Sequence, residues 1–124
     1  MALPSVDAVA FCRPGGESCG QTRARPVDLV HLSRQTMGDR AVEQQVLALF
    51  MHQAQVVRER IAASDEKGRF ALAHGLRGAA SGIGAFRIAD IAAKVESDPG
   101  DETHLEALAS AIDEARDFIS SINR

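Results

Sequence analysis

The sequence predicts an all-α domain: an antiparallel four-helix bundle, up-down-up-down, with an extra N-terminal segment that carries a short helix. Three observations lead there. From Val27 onward apolar residues recur three and four positions apart, the period of a helix buried on one face. No run alternates apolar and polar residues between hairpin turn signals. Hydrophobic residues make up 45% of the chain but aromatics only 4%, so the core is built from Ala, Val, Leu and Ile, which suits closely packed helices. A length of 124 residues fits one domain. Amphipathic helices joined by short loops then pack as antiparallel neighbours.

Residues 1–26 read as an N-terminal extension, and 27–124 as the bundle. Pro4, Pro14, Gly15, Gly16, Gly20 and Pro26 break up the extension. Ser5 can cap one short helix carrying Val6, Val9 and Phe11, stopped by Pro14. Asp28 caps a short helix with Leu29, Val30 and Leu32 that ends near Gly38. Asp39 opens a long helix whose stripe is Val46, Leu47, Phe50, Ala54, Val57 and Ile61, ending near Ala63. Ser64 or Asp65 caps the next helix, which runs to about Gly84. Ala85 or Phe86 starts a further helix with Ile88, Ile91, Ala92 and Val95 facing inward, and Asp98-Pro99-Gly100 stops it. The last helix places Leu105, Leu108, Ile112, Ala115, Ile119 and Ile122 on one side.

Charge and composition exclude several functions. A net charge of −3, with 14 Lys and Arg residues scattered along the chain, argues against a nucleic-acid partner. No stretch approaches the roughly 18 apolar residues of a membrane span, so no membrane role is expected. Met1-Ala2-Leu3-Pro4 lacks the basic and apolar regions of a signal peptide, which makes a cytoplasmic location the expectation. Cys12 and Cys19 match neither a redox nor a zinc spacing, and read as unpaired thiols in a reducing compartment. No metal site is expected: a bundle metal centre needs inward Glu-x-x-His pairs, and here Glu102 precedes His104 by two positions.

The run from His74 to Gly84 is the most informative segment. At 100° per residue, His74, Arg77, Gly78 and Ser81 share one helix face. Leu72, Leu76, Ala79, Ala80 and Ile83 share the opposite one. The apolar stripe points inward, so the histidine points outward. Gly78 costs a helix interior about 1 kcal/mol against alanine, and room beside the imidazole is the simplest compensation. With the helical turn centred near Ala85, His74 lies 11 residues before it and Glu96 lies 11 after it, which sets them level on neighbouring helices. Glu96 is then either an ordinary helix-end acid or the acceptor of the Nδ1–H of His74. In the second case it sets the tautomer and leaves Nε2 as nucleophile. Arg77, one turn from His74, suits the oxygens of a phosphoryl group carried on the imidazole. Phe70 is either an apolar docking residue or packs against the preceding long helix. Ser81 stands at the rim.

These residues, His74-x-Leu76-Arg77-Gly78 followed by Ile83-Gly84, resemble the signature of histidine-containing phosphotransfer (HPt) domains over roughly residues 27–122. The resemblance implies a phosphorelay intermediate in two-component signalling. His74 matches the phosphorylated histidine and Gly78 the family glycine. Arg77 stands where the family most often has Lys, a departure that keeps the charge. Glu96 stands where Gln or Glu contacts the ring, and Gly82 where small polar residues are frequent. Implied partners are response-regulator receiver domains, on a docking face that includes Phe70 and Ser81, and a hybrid sensor histidine kinase. The magnesium ion belongs to the receiver, and no cofactor is expected on this chain. It is not expected to be an ATP-dependent kinase, since it lacks a Gly-rich phosphate loop, and it is expected to be monomeric. The competing readings are a helical adaptor or inhibitor that docks a kinase or receiver without carrying phosphate, and a purely structural bundle, which predicts a buried or packed His74.

Overall fold

A computed structural model describes residues 25–122. The N-terminal short helix expected around Val6, Val9 and Phe11, together with Cys12 and Cys19, lies outside the described residues.

Five α-helices make up the described chain, and it contains no strand. Helix α1 spans Leu29–Gln35, α2 Arg40–Arg60, α3 Glu66–Ile83, α4 Phe86–Ser97 and α5 Glu102–Ile122, with a short 3₁₀ turn at Ile61–Ala63 closing α2. An aspartate opens four of the five. Asp28 accepts from the amides of Val30 and His31, Asp39 from those of Ala41 and Val42, and Asp65 from that of Gly68. Asp101 accepts from the Thr103 amide at 2.9 Å and from its hydroxyl at 2.6 Å. Each carboxylate satisfies amides that the helix itself leaves unpaired and complements the positive end of its dipole. The Thr103 hydroxyl, then its amide, with His104 alongside, hold the Asp101 carboxyl below its ordinary value.

Helix α4 starts differently. Its N-terminus has no side-chain cap and follows directly on Gly84, where α3 ends in the left-handed conformation (φ 91°). The Ala85 amide turns back to the Ala80 carbonyl at 2.8 Å, closing the end of α3. Gly84 also carries α1: the Asp28 amide donates to its carbonyl at 2.9 Å, and a Cβ on Gly84 would stand 2.9 Å from the Asp28 carbonyl oxygen. So α3 and α4 reverse over two residues, and the start of α1 is held against the same turn.

The four longer helices pack each against the next, and α2 also packs against α5, which closes the bundle; α1 rests on α3. The predicted stripes form the core. Leu47, Phe50, Ala54 and Val57 are buried on α2 and Ile61 in the 3₁₀ turn after it, Leu76, Ala80 and Ile83 on α3, and Leu105, Leu108, Ile112, Ala115 and Ile119 on α5. Val46, Leu72, Ala79 and Ile122 are partly buried against them. Val30 departs from the expectation and faces solvent, since α1 uses only Leu29 and Leu32 to reach the core. No described helix is long and apolar enough to cross a membrane.

Arg69 locks one end of the bundle. It donates from Nε to the Ile61 carbonyl (3.1 Å), from Nη2 to that of Ala62 (3.0 Å) and from Nη1 to that of Pro99 (3.0 Å). It also pairs with Glu102 at 3.2 Å. One guanidinium therefore joins the 3₁₀ turn after α2, the start of α3 and the α4–α5 turn. This sets the spacing of α3 and α4 one turn away from His74.

Candidate functional site

The site lies on the outer face of α3 and the adjoining edge of α4. Leu76, Ala80 and Ile83 are buried, so the phase of α3 turns His74, Arg77, Gly78 and Ser81 toward solvent. The His74 side chain is 68% exposed. So His74 is not buried, burial being one of the two placements expected of a purely structural bundle. The short Gly84–Ala85 reversal brings the far end of α4 back alongside His74, and Glu96 arrives level with it, as the symmetry about Ala85 predicts.

Glu96 is no surface acid. Its side chain is only 11% exposed, and one of its oxygens, Oε1, serves two neighbours. Arg77 Nη1 donates to it at 3.2 Å. His74 Nδ1 stands 3.5 Å from the same oxygen, beyond the usual hydrogen-bond length. The second oxygen, Oε2, is buried without a hydrogen-bond partner among the described residues. A carboxylate in the last turn of a helix also faces the negative end of the dipole. Arg77 is therefore its main compensation, and the guanidinium expected to reach for a phosphoryl group is engaged with Glu96 here.

Phe70 settles between its two expectations. It is exposed, and its ring stacks on the imidazole with 5.9 Å between centroids and 7° between planes. The i, i+4 spacing of Phe70 and His74 on one helix is the signal that could have shown this pairing. One face of the imidazole is thus covered by Phe70, its Nδ1 edge faces Glu96, and Nε2 has no partner among the described residues.

Glycines line the other flank. A Cβ at Gly78 or Gly82 would meet nothing within 4 Å, and one at Gly75 only the Gln53 amide nitrogen at 3.9 Å. Packing among the described residues requires none of the three, although each lowers helix propensity by about 1 kcal/mol. Ser81 is exposed at the edge of the same surface.

The other histidines stand apart. His52 is exposed on α2. His31 Nε2 lies 3.2 Å from the Gly82 carbonyl at the end of α3, with its ring edge-on to Phe86. His104 is half-buried: its Nδ1 has no partner among the described residues and its Nε2 is 3.6 Å from Asp101. Among the described residues no group of three or more His, Cys, Asp or Glu is placed to hold a metal ion.

Comparison with known families matches the chain to the Hpt domain over residues 45–118, more than half of the chain, from the second turn of α2 into the last turns of α5. No curated protein and no solved structure matches the chain significantly.

Proposed function

The chain belongs to the Hpt domain family, which works in phosphotransfer in two-component signalling, and on that premise we propose that it is a phosphorelay intermediate carrying a phosphoryl group on His74. The observation that supports this most strongly is the imidazole itself. It is exposed on a helix, with Nδ1 turned toward the largely buried Glu96 carboxylate and Nε2 open to an approaching partner. A ring held with its proton on Nδ1 presents the Nε2 lone pair as nucleophile.

The donor is the acyl phosphate of a receiver-domain aspartate. Nε2 attacks phosphorus in line, the Nε2–P bond forms, and the bond from phosphorus to the aspartate oxygen breaks, returning a carboxylate to the receiver. A neutral imidazole with its proton on Nδ1 becomes a cationic ring bearing the phosphoryl group. Glu96 stands 3.5 Å from that Nδ1 to balance the new charge. Arg77 supplies positive charge on the phosphoryl side. Gly78 lets the receiver approach without a Cβ in its path, and Phe70 and Ser81 contribute to the docking face. The receiver brings its own magnesium ion, and this chain contributes the nucleophile and its electrostatic setting.

The reading implies a monomeric, cytoplasmic carrier that exchanges phosphoryl groups with receiver domains and a hybrid sensor kinase. The test is transfer of label from a phosphorylated receiver to the wild type and to His74→Gln. Label on the wild type alone, lost in acid and kept in base, is the expected result. Label retained by His74→Gln overturns the assignment, and no label from several receivers favours the adaptor reading.

A further inference from the structure

We infer that Glu96 is a shared acceptor that exchanges partners during transfer: Arg77 holds it before phosphorylation, and the Nδ1–H of His74 holds it afterward, as Arg77 moves onto the phosphoryl group. The inference rests on the phosphorelay reading for its trigger, but its starting state is visible in the structure. Both groups converge on the single oxygen Oε1, with Arg77 the nearer at 3.2 Å and His74 at 3.5 Å. Oε2 is buried and offers neither a second berth. Oε1 has lone pairs for both, so the two donors divide its charge and each weakens the other's hold.

Charge balance gives the exchange its direction. Before transfer the Glu96 carboxylate and the Arg77 guanidinium pair. In the form that can act as nucleophile the imidazole carries no charge, and its Nδ1–H is then the weaker claimant on Oε1. Transfer creates two new charges, a cationic ring proton beside Glu96 and a phosphoryl dianion on Nε2. If Arg77 stayed on Glu96, the dianion would lack a cation and the ring proton would share an oxygen already engaged. If Arg77 moves to the phosphoryl oxygens, each charge has one partner. Glu96 cannot be left alone, because its side chain is 11% exposed and stands at the negative end of α4. The departure of Arg77 and the arrival of the Nδ1–H are thus one event. Arg77 has the freedom to make the move, with its side chain 50% exposed and Gly78 leaving open space beside it. Among the described residues no other charged group contacts the ring: Phe70 stacks on it along α3, and the neutral Gln53 of α2 stands beside Gly75.

Glu96 is in this sense a positioning residue whose grip on His74 is restrained by Arg77. The test reads the tautomer of His74 by nitrogen chemical shifts in the full chain, in alkaline buffer where the ring is neutral. Arg77→Ala is expected to shift the tautomer ratio toward Nδ1–H by about threefold, the size of a partly exposed ion pair released from competition. Arg77→Lys restores the wild-type ratio, and Glu96→Gln shifts it the other way. After phosphorylation with phosphoramidate, the Nδ1 proton of the wild type is expected to appear as a strongly hydrogen-bonded resonance that Glu96→Gln loses and Arg77→Ala keeps. A tautomer ratio that is the same in wild type and Arg77→Ala overturns the competition. Failure of the relay reading itself shows separately, as absence of label from receivers with the tautomer response intact.

Discussion

Arg69 and Arg77 stand two turns apart on α3 and do opposite work. Arg69 is 12% exposed and spends its donors on three backbone carbonyls from two different turns. Arg77 is 50% exposed and makes one bond, to a side-chain oxygen that His74 also approaches. Backbone carbonyls at helix ends do not move without unfolding the turn that carries them, so Arg69 is a permanent tie. A half-exposed guanidinium on a shared carboxylate can leave at small cost. The same residue type is structural where its partners are fixed and available for chemistry where they are exchangeable.

Four substitutions or conditions break or sharpen this contrast. Arg69→Ala has the largest effect, since it removes three hydrogen bonds to backbone carbonyls, two of them partly buried, and unties three segments. It should lower unfolding stability by about 3 kcal/mol in urea titrations, while Arg77→Ala costs about 1 kcal/mol or less. Equal losses would remove the distinction. Gly84→Ala comes next, at about 2 kcal/mol, because it forces a left-handed residue and drives a Cβ to 2.9 Å from the Asp28 carbonyl oxygen. Gly78→Ala carries the opposite sign: its Cβ meets nothing, so thermal unfolding should show a gain of up to about 1 kcal/mol. Transfer from a receiver should nevertheless slow by about tenfold as the partner is displaced. A faster or unchanged transfer rate would assign the glycine no role in access.

The smallest effect is a pH dependence at Asp101. Its carboxyl is held below its ordinary value in the fold, so its contribution is present above that value and is lost as pH falls through the lowered one. Thr103→Val should flatten the acid limb of the stability curve slightly, a change readable by thermal melts across the acidic range.

Much of this architecture can be read along the chain. Asp28, Asp39 and Asp65 mark helix starts because capping is local, needing only a side chain and the amides two or three residues on. The outward phase of His74 follows from Leu76, Ala80 and Ile83 on the other side of one helix, and the level of Glu96 follows from a two-residue reversal. The half-burial of His104 is not legible in the same way, because it depends on how α5 packs.

What the chain by itself determined, then, was which residues lie on which face and at what height, since helical rise and period are properties of the backbone. Only the tertiary structure decided which atoms meet. That Arg77 and His74 share Oε1 of Glu96, and that Arg69 reaches carbonyls 7, 8 and 30 positions away, depends on interhelical distance and side-chain rotamer. Periodicity leaves both open, because side chains that share a face can still choose different partners until the neighbouring helix is in place.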